Sequence, residues 1–155
     1  MLILFQDKFP ELAKDEQRIV TALYRNKYKV PQDDYTMLEM YCTDCDCRRV
    51  HFHINSSVHK QTVAVIEFGW ESLDYYAKFV TNGKTNDFFK LTREEQISAV
   101  NMKTARLSKK HMPTEISKDV LNMIKEEALK DKKYIKRLKK HYKLIRTPFA
   151  RHVIG

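Results

Sequence analysis

The chain has 155 residues, 43% hydrophobic and 11% aromatic, which suits a single folded domain rather than a disordered chain. No run approaches the roughly 18 apolar residues that cross a bilayer. The opening Met-Leu-Ile-Leu-Phe-Gln-Asp lacks the positive flank and length of a secretion signal, so a cytoplasmic location is expected. Net charge is +9 and uneven: residues 103–155 hold 16 Lys/Arg against 5 Asp/Glu, while residues 1–102 hold 13 against 15. Such asymmetry marks a protein whose basic part meets a polyanion, nucleic acid before an anionic membrane because no large apolar face accompanies the charge.

Residues 1–34 begin with a short apolar strand or arm, Leu2 to Phe5, and continue into a helix whose first turn Pro10 suits. The buried stripe of that helix would be Leu12, Ile19, Val20, Leu23 and Tyr24. Val30-Pro31-Gln-Asp-Asp34 breaks the pattern, and from residue 35 to 68 β-formers take over. Thr36 to Tyr41 alternates loosely, with Leu38 and Met40 together, and leads into a cysteine-rich loop. Beyond the loop, Val50, Phe52 and Ile54 share one face of a strand and Arg49, His51 and His53 the other. A polar connection from Asn55 to Gln61 returns the chain into a third strand, Thr62 to Phe68, which predicts a small three-stranded antiparallel sheet.

Residues 69–155 read as helical. Gly69 ends the sheet, and Glu71 or Ser72 starts a helix carrying Leu73, Tyr76, Ala77 and Val80 until Asn82-Gly83 stops it. Thr92 and Glu95 have the spacing of a capping box and open a helix with Ile97, Val100 and Leu107. Ile116, Val120, Met123, Ile124 and Ala128 form the next stripe, and Asp131 caps a last helix through Arg146, closed by Thr147-Pro148. On that helix Ile135, Leu138, Tyr142 and Ile145 form an apolar side, while Lys132, Lys133, Lys136, Arg137, Lys139, Lys140, Lys143 and Arg146 fill the remainder. The expected fold is a single α+β domain over residues 1–155, its sheet and cysteine-rich loop packed against about five helices, the C-terminal ones basic.

All three cysteines fall within six residues, Tyr41-Cys-Thr-Asp-Cys-Asp-Cys-Arg-Arg-Val50. Cys-x2-Cys folds two sulfurs to one side of a turn and the Cys-x-Cys step adds a third, so Cys42, Cys45 and Cys47 point to one metal ion, and soft sulfur favours Zn2+. Three reduced, half-buried thiols without metal are the plain alternative, and an odd count argues against a disulfide framework. A tetrahedral site has one further position, to be filled by a distant residue, a nearby histidine or water; its occupant separates a structural from a catalytic centre.

Four segments together resemble a group of small, functionally uncharacterised bacterial proteins: Leu38-Glu-Met-Tyr41, the cysteine loop itself, Ile66-Glu-Phe-Gly-Trp-Glu-Ser-Leu-Asp-Tyr-Tyr76, and Tyr134-Ile-Lys-Arg-Leu-Lys-Lys-His-Tyr142. In that group the loop reads Cys-x-Asp-Pro-x-Cys-Asp-Cys-Arg-Arg-Val and the last helix ends in Arg-His-Tyr. The present loop is two residues shorter and lacks the proline, so Cys42 approaches the other thiols differently. The Cys-x-Cys step is also similar to the SEC-C zinc module, without that module's glycine-rich middle. The resemblance implies zinc binding and matches His141 to the group's histidine, but it carries no activity.

His141, beside the apolar stripe of the last helix, is therefore the first candidate for the fourth ligand, followed by His51, His53 and His59. Arg48 and Arg49 are placed to offset thiolate charge and, alternatively, to contact phosphates together with the eight cations of the last helix. Trp70 with the adjacent Glu71 and Tyr75 could form a pocket, but a lone Trp at a strand-to-helix turn is more often a core anchor; Asp44 and Asp46 read as solvent-facing. No P-loop, dinucleotide glycine fingerprint, His-Glu-x-x-His or Gly-x-Ser-x-Gly is present. The composite expectation is a zinc-stabilised basic binding protein for RNA or DNA; an accessory subunit docking an acidic protein, and a zinc-dependent hydrolase or nuclease, are the other two readings.

Overall fold

A computed structural model describes residues 1–147 of the chain. Its centre is a ten-residue strand, β3 (Asp33–Cys42), whose odd-numbered residues Asp33, Tyr35, Met37, Glu39 and Tyr41 all point inward. Strict alternation of large side chains favours a half-buried strand over any helix. β4 (Arg49–Ser56) answers it with Val50, Phe52 and Ile54 on the same face, and β5 (Gln61–Gly69) pairs next in line.

The predicted three-stranded sheet is corrected here: among the described residues the sheet has six strands, all antiparallel. β1 (Leu2–Leu4) and β2 (Arg18–Ala22) both pair with β3, and β6 (Arg106–Leu107) pairs with β5. The class remains α+β, with six α-helices among the described residues. Three of the strands expected from sequence are β3, β4 and β5.

The N-terminal helix accounts for much of the difference. The sequence reading extends it through Tyr24, but the chain divides into α1 (Phe5–Lys8) and α2 (Pro10–Glu16) and then turns extended at Gln17, with ψ 133°. Ile19, Val20 and Thr21 are consecutive β-branched residues, which lose rotamer freedom in a helix and fit a pleated sheet. Val20 and Ala22 are buried, whereas Ile19, Leu23 and Tyr24 are exposed, so the period is two and not 3.6. Leu107, assigned by spacing to a helix, is in β6; Ile97 and Val100 of α4 (Arg93–Lys103) face solvent.

Several local signals are realised as read. Ser72 caps α3 (Leu73–Val80) through Tyr75 N–H, Asn82 and Gly83 take positive φ just beyond it, and Thr92 with Glu95 completes a capping box for α4. α5 (Ser117–Glu127) buries Val120, Met123 and Ile124, and Asp131 caps α6 (Lys132–Arg146). Pro148, expected to close α6, lies outside the described residues.

α5 and α6 contribute Val120, Met123, Ile124, Tyr134, Leu138, Tyr142 and Ile145 to one cluster with the inward side chains of the sheet and with Phe5 and Ala13. A satellite cluster of Tyr76, Ala77, Leu91 and Ala99 joins α3 to α4. Gly69 permits that join: a Cβ there would lie 2.5 Å from the Met102 carbonyl oxygen. No helix among the described residues is long and apolar enough to cross a membrane.

Candidate metal centre and cationic cleft

The loop between β3 and β4 brings the three thiols together. Cys42 is half-buried, Cys45 exposed and Cys47 buried, all three are free, and their sulfurs lie within 4.8 Å of one another. Cys42 Sγ is 3.3 Å from Cys45 Sγ. Around a tetrahedral zinc with bonds of about 2.3 Å, sulfurs sit about 3.8 Å apart, so movements of about an ångström suffice to seat an ion. The cysteines thus lie close enough to bind a metal ion.

The environments of the thiols differ. Although Cys45 is exposed as a residue, partial desolvation of its sulfur pushes it up to about 12, reinforced by its hydrogen bond to Cys42 and by the neighbouring Cys47 and Cys42 charges. Burial also raises Cys47. Cys42 is lowered: burial opposes this, but hydrogen bonds from the Cys45 thiol and from backbone N–H groups at Asp44 and Cys45 outweigh it. A cation at the centre would displace protons from the two raised thiols, as zinc does from coordinating sulfur.

α6 and α3 hold this loop from outside. Tyr142 Oη donates to Asp46 Oδ1 at 2.7 Å and accepts from Arg48 N–H at 3.2 Å. Arg146 Nη1 donates to the carbonyls of Cys42, 3.2 Å, and Cys45, 2.5 Å. Tyr75 donates to the Asp46 carbonyl, and Tyr76 to the Arg48 carbonyl at 2.8 Å. Arg48 has φ +51°, a left-handed conformation that a non-glycine residue holds only when its surroundings fix it. Asp46 is exposed, as expected, and is also the hub of these contacts. Burial would raise its carboxyl, but Tyr142 and Arg48 hold it below the usual value.

His141, the first candidate for the fourth ligand, is engaged by carboxylates and falls outside the metal-capable group. Among the described residues the metal-capable group contains the cysteines alone. His141 is 1% exposed and stacks on Phe5 at 3.9 Å. Nδ1 lies 2.7 Å from Glu39 Oε1 and Nε2 3.2 Å from Glu16 Oε1, so both nitrogens face carboxylates. Tyr41 and Tyr134 donate to the same Glu39, at 2.6 and 3.2 Å. The other candidates are also elsewhere: His51 lies 3.6 Å from Glu67, His53 packs edge-on to His111, and His59 is in the turn between β4 and β5, at the far end of both strands. Burial lowers His51 and His53, helped by Arg49 and His111 respectively.

Apart from Arg48, the predicted cations divide into two sets. Arg49 is folded inward, its Nε on the Met102 carbonyl at 2.8 Å and its Nη2 3.8 Å from Glu67. Arg137 donates to the Glu16 carbonyl at 2.9 Å, Lys140 grips both Glu16 oxygens at 2.7 and 2.8 Å, and Arg146 is committed to the cysteine loop. These four hold the structure together. Lys132, Lys133, Lys136, Lys139 and Lys143 are exposed and have no ion pair among the described residues.

Beside the thiols, Arg48, Lys139, Lys143 and Arg146 surround a cleft of about 660 Å³ whose walls include Trp70, Tyr142, Asp46 and Glu71. Arg48 pairs with Asp46 at 3.2 Å and Glu71 at 3.4 Å and lies 4.5 Å above the Tyr75 ring. Trp70 is half-buried against Tyr142, with ring centres 5.2 Å apart at 80°. Sequence reading weighs a pocket at Trp70 and Glu71 but prefers a core anchor, and it cannot join them to Arg48 and the α6 cations because the walls come from three separate segments. The buried Glu39 left a trace, as a charge on the inward parity of β3; so did His141, in step with Tyr134, Leu138 and Ile145.

Comparison with known proteins found no matching family model, curated protein or solved structure.

Proposed function

We propose that the chain is a zinc-stabilised, basic binding protein that engages nucleic acid, RNA or DNA, mainly through its phosphates. Zinc is the ion whose chemistry suits three clustered thiols. The observation that carries the nucleic-acid reading is the row of five exposed lysines on α6, without counter-ions among the described residues.

That row works against the helix that bears it. Lys132 and Lys136, and Lys139 and Lys143, are like charges four residues apart, each pair costing about 0.2–0.5 kcal/mol. Lys132 and Lys133 also stand at the positive end of the helix dipole. Charge kept against local stability fits a surface that neutralises a partner.

Binding of a mixed-sequence duplex should therefore weaken linearly in log affinity against log salt. Changing Lys136 or Lys139 to Ala should each reduce that slope by about 1. Affinity independent of ionic strength would remove the proposal, and capture of an acidic protein after nuclease treatment would replace it with the accessory-subunit reading. Metal analysis of protein purified without chelator tests zinc directly.

A further inference from the structure

We propose that the cleft beside the cysteine loop is a pocket for one nucleoside phosphate, its ring against Trp70 and its phosphate between Lys139 and Lys143. This deepens the nucleic-acid reading and rests on it: the outer face of α6 supplies charge, and the cleft adds a seat for a ring.

Size and charge narrow the ligand. A volume of about 660 Å³ falls among small-molecule sites of roughly 300–1,000 Å³ and far exceeds what a bare phosphate fills. Of the four cations in its walls, Arg48 is matched by Asp46 and Glu71, and Arg146 is held by two loop carbonyls. Lys139 and Lys143, one helical turn apart on the rim, are left to receive a phosphate as point charges.

The opposite wall is aromatic. Tyr142 meets Trp70 nearly perpendicular, so its ring does not stack parallel on the indole. Stacking of a base on such a ring contributes about 1–3 kcal/mol and tolerates any base. Glu71, adjoining Trp70 in the same wall, offers a carboxylate that can accept from base N–H groups. An isolated phosphate gains nothing from these two residues, whereas a nucleotide uses both walls together.

Two sources share this chemistry: a free nucleotide, and one unit of a single strand. Trp70 is the chain's single tryptophan, so selectively excited indole emission reports the cleft alone. Titration of the full chain with adenosine monophosphate, ribose 5-phosphate, oligothymidylate and a duplex of equal length separates the cases. Saturable quenching by the mononucleotide alone assigns a free nucleotide; quenching also by oligothymidylate assigns a strand; ribose 5-phosphate should leave emission unchanged. Lys139→Glu/Lys143→Glu, on exposed positions that leave the core untouched, should weaken whichever ligand quenches by about tenfold or more, and calorimetry on Trp70→Phe should retain part of the affinity. Salt-sensitive binding of duplex and single strand with unaltered indole emission would overturn the pocket and leave the α6 reading in place. Quenching by a nucleotide that ignores the double substitution would overturn the phosphate seat, while absence of any salt-sensitive binding would overturn the underlying reading.

Discussion

Glu16 shows how a single side chain decides what a neighbouring group can do. It sits at the end of α2, its side chain 16% exposed, and accepts from Lys140 and His141 of α6. Burial would raise its carboxyl, but Lys140 and His141 outweigh it and hold the group below 4.5. A carboxylate lowered in the folded state contributes stability that is complete above its unfolded value and is lost as pH falls through the folded one. Thermal melts from pH 7 to pH 3 should therefore show Glu16→Gln lowering the midpoint by about 2–4 °C at neutral pH, with the gap to the unsubstituted chain closing in acid. Parallel profiles across that range would count against the ion cluster. The same carboxylate, with Glu39, engages both ring nitrogens of His141, which no spacing rule along α6 reveals.

At the scale of elements, legibility depended on whether a segment carried its own signal. The Thr92/Glu95 box, the Ser72 and Asp131 caps and the Asn82-Gly83 stop are local chemistry, readable because the donor and acceptor lie within a few residues. β4 and β5 were legible through alternation. β2 was not, since Ile19, Val20, Leu23 and Tyr24 fit a helical stripe as easily as a strand, and pairing with β3 decided between them. The two assignments make opposite predictions for Ile19. As an exposed edge position, Ile19→Lys should change unfolding free energy by no more than about 0.5 kcal/mol, while Val20→Asp, placing an unpaired charge in the core, should cost about 3 kcal/mol or more. Denaturant titration of both variants checks this; equal losses would support a helix.

For the whole molecule, the question is how much of the fold depends on metal. The cysteine loop is fastened by Tyr142, Arg146, Tyr75 and Tyr76, and the core cluster spans sheet, α1, α2, α5 and α6 without any thiol in it. On the zinc reading, removal of the ion should lower the melting temperature by several degrees yet preserve the sheet and helix signals in circular dichroism. Small zinc fingers, which lack such a core, unfold instead. Wholesale loss of secondary structure on chelation would show that the loop organises the fold rather than resting on it.

The sequence by itself determined the class, the two-faced charge, the local caps and the clustering of Cys42, Cys45 and Cys47, because each depends on residues near one another in the chain. Tertiary structure alone decided the six-strand sheet of the described residues, the pairing of His141 with Glu16 and Glu39, and the division of the basic residues into structural ties and a lysine row without ion pairs among the described residues. It also brought Trp70 from the β5–α3 corner to Lys139 and Lys143 of α6. These are contacts between segments as much as 125 residues apart, set by which faces the core must bury, and periodicity within one segment contains no record of what another segment presents to it.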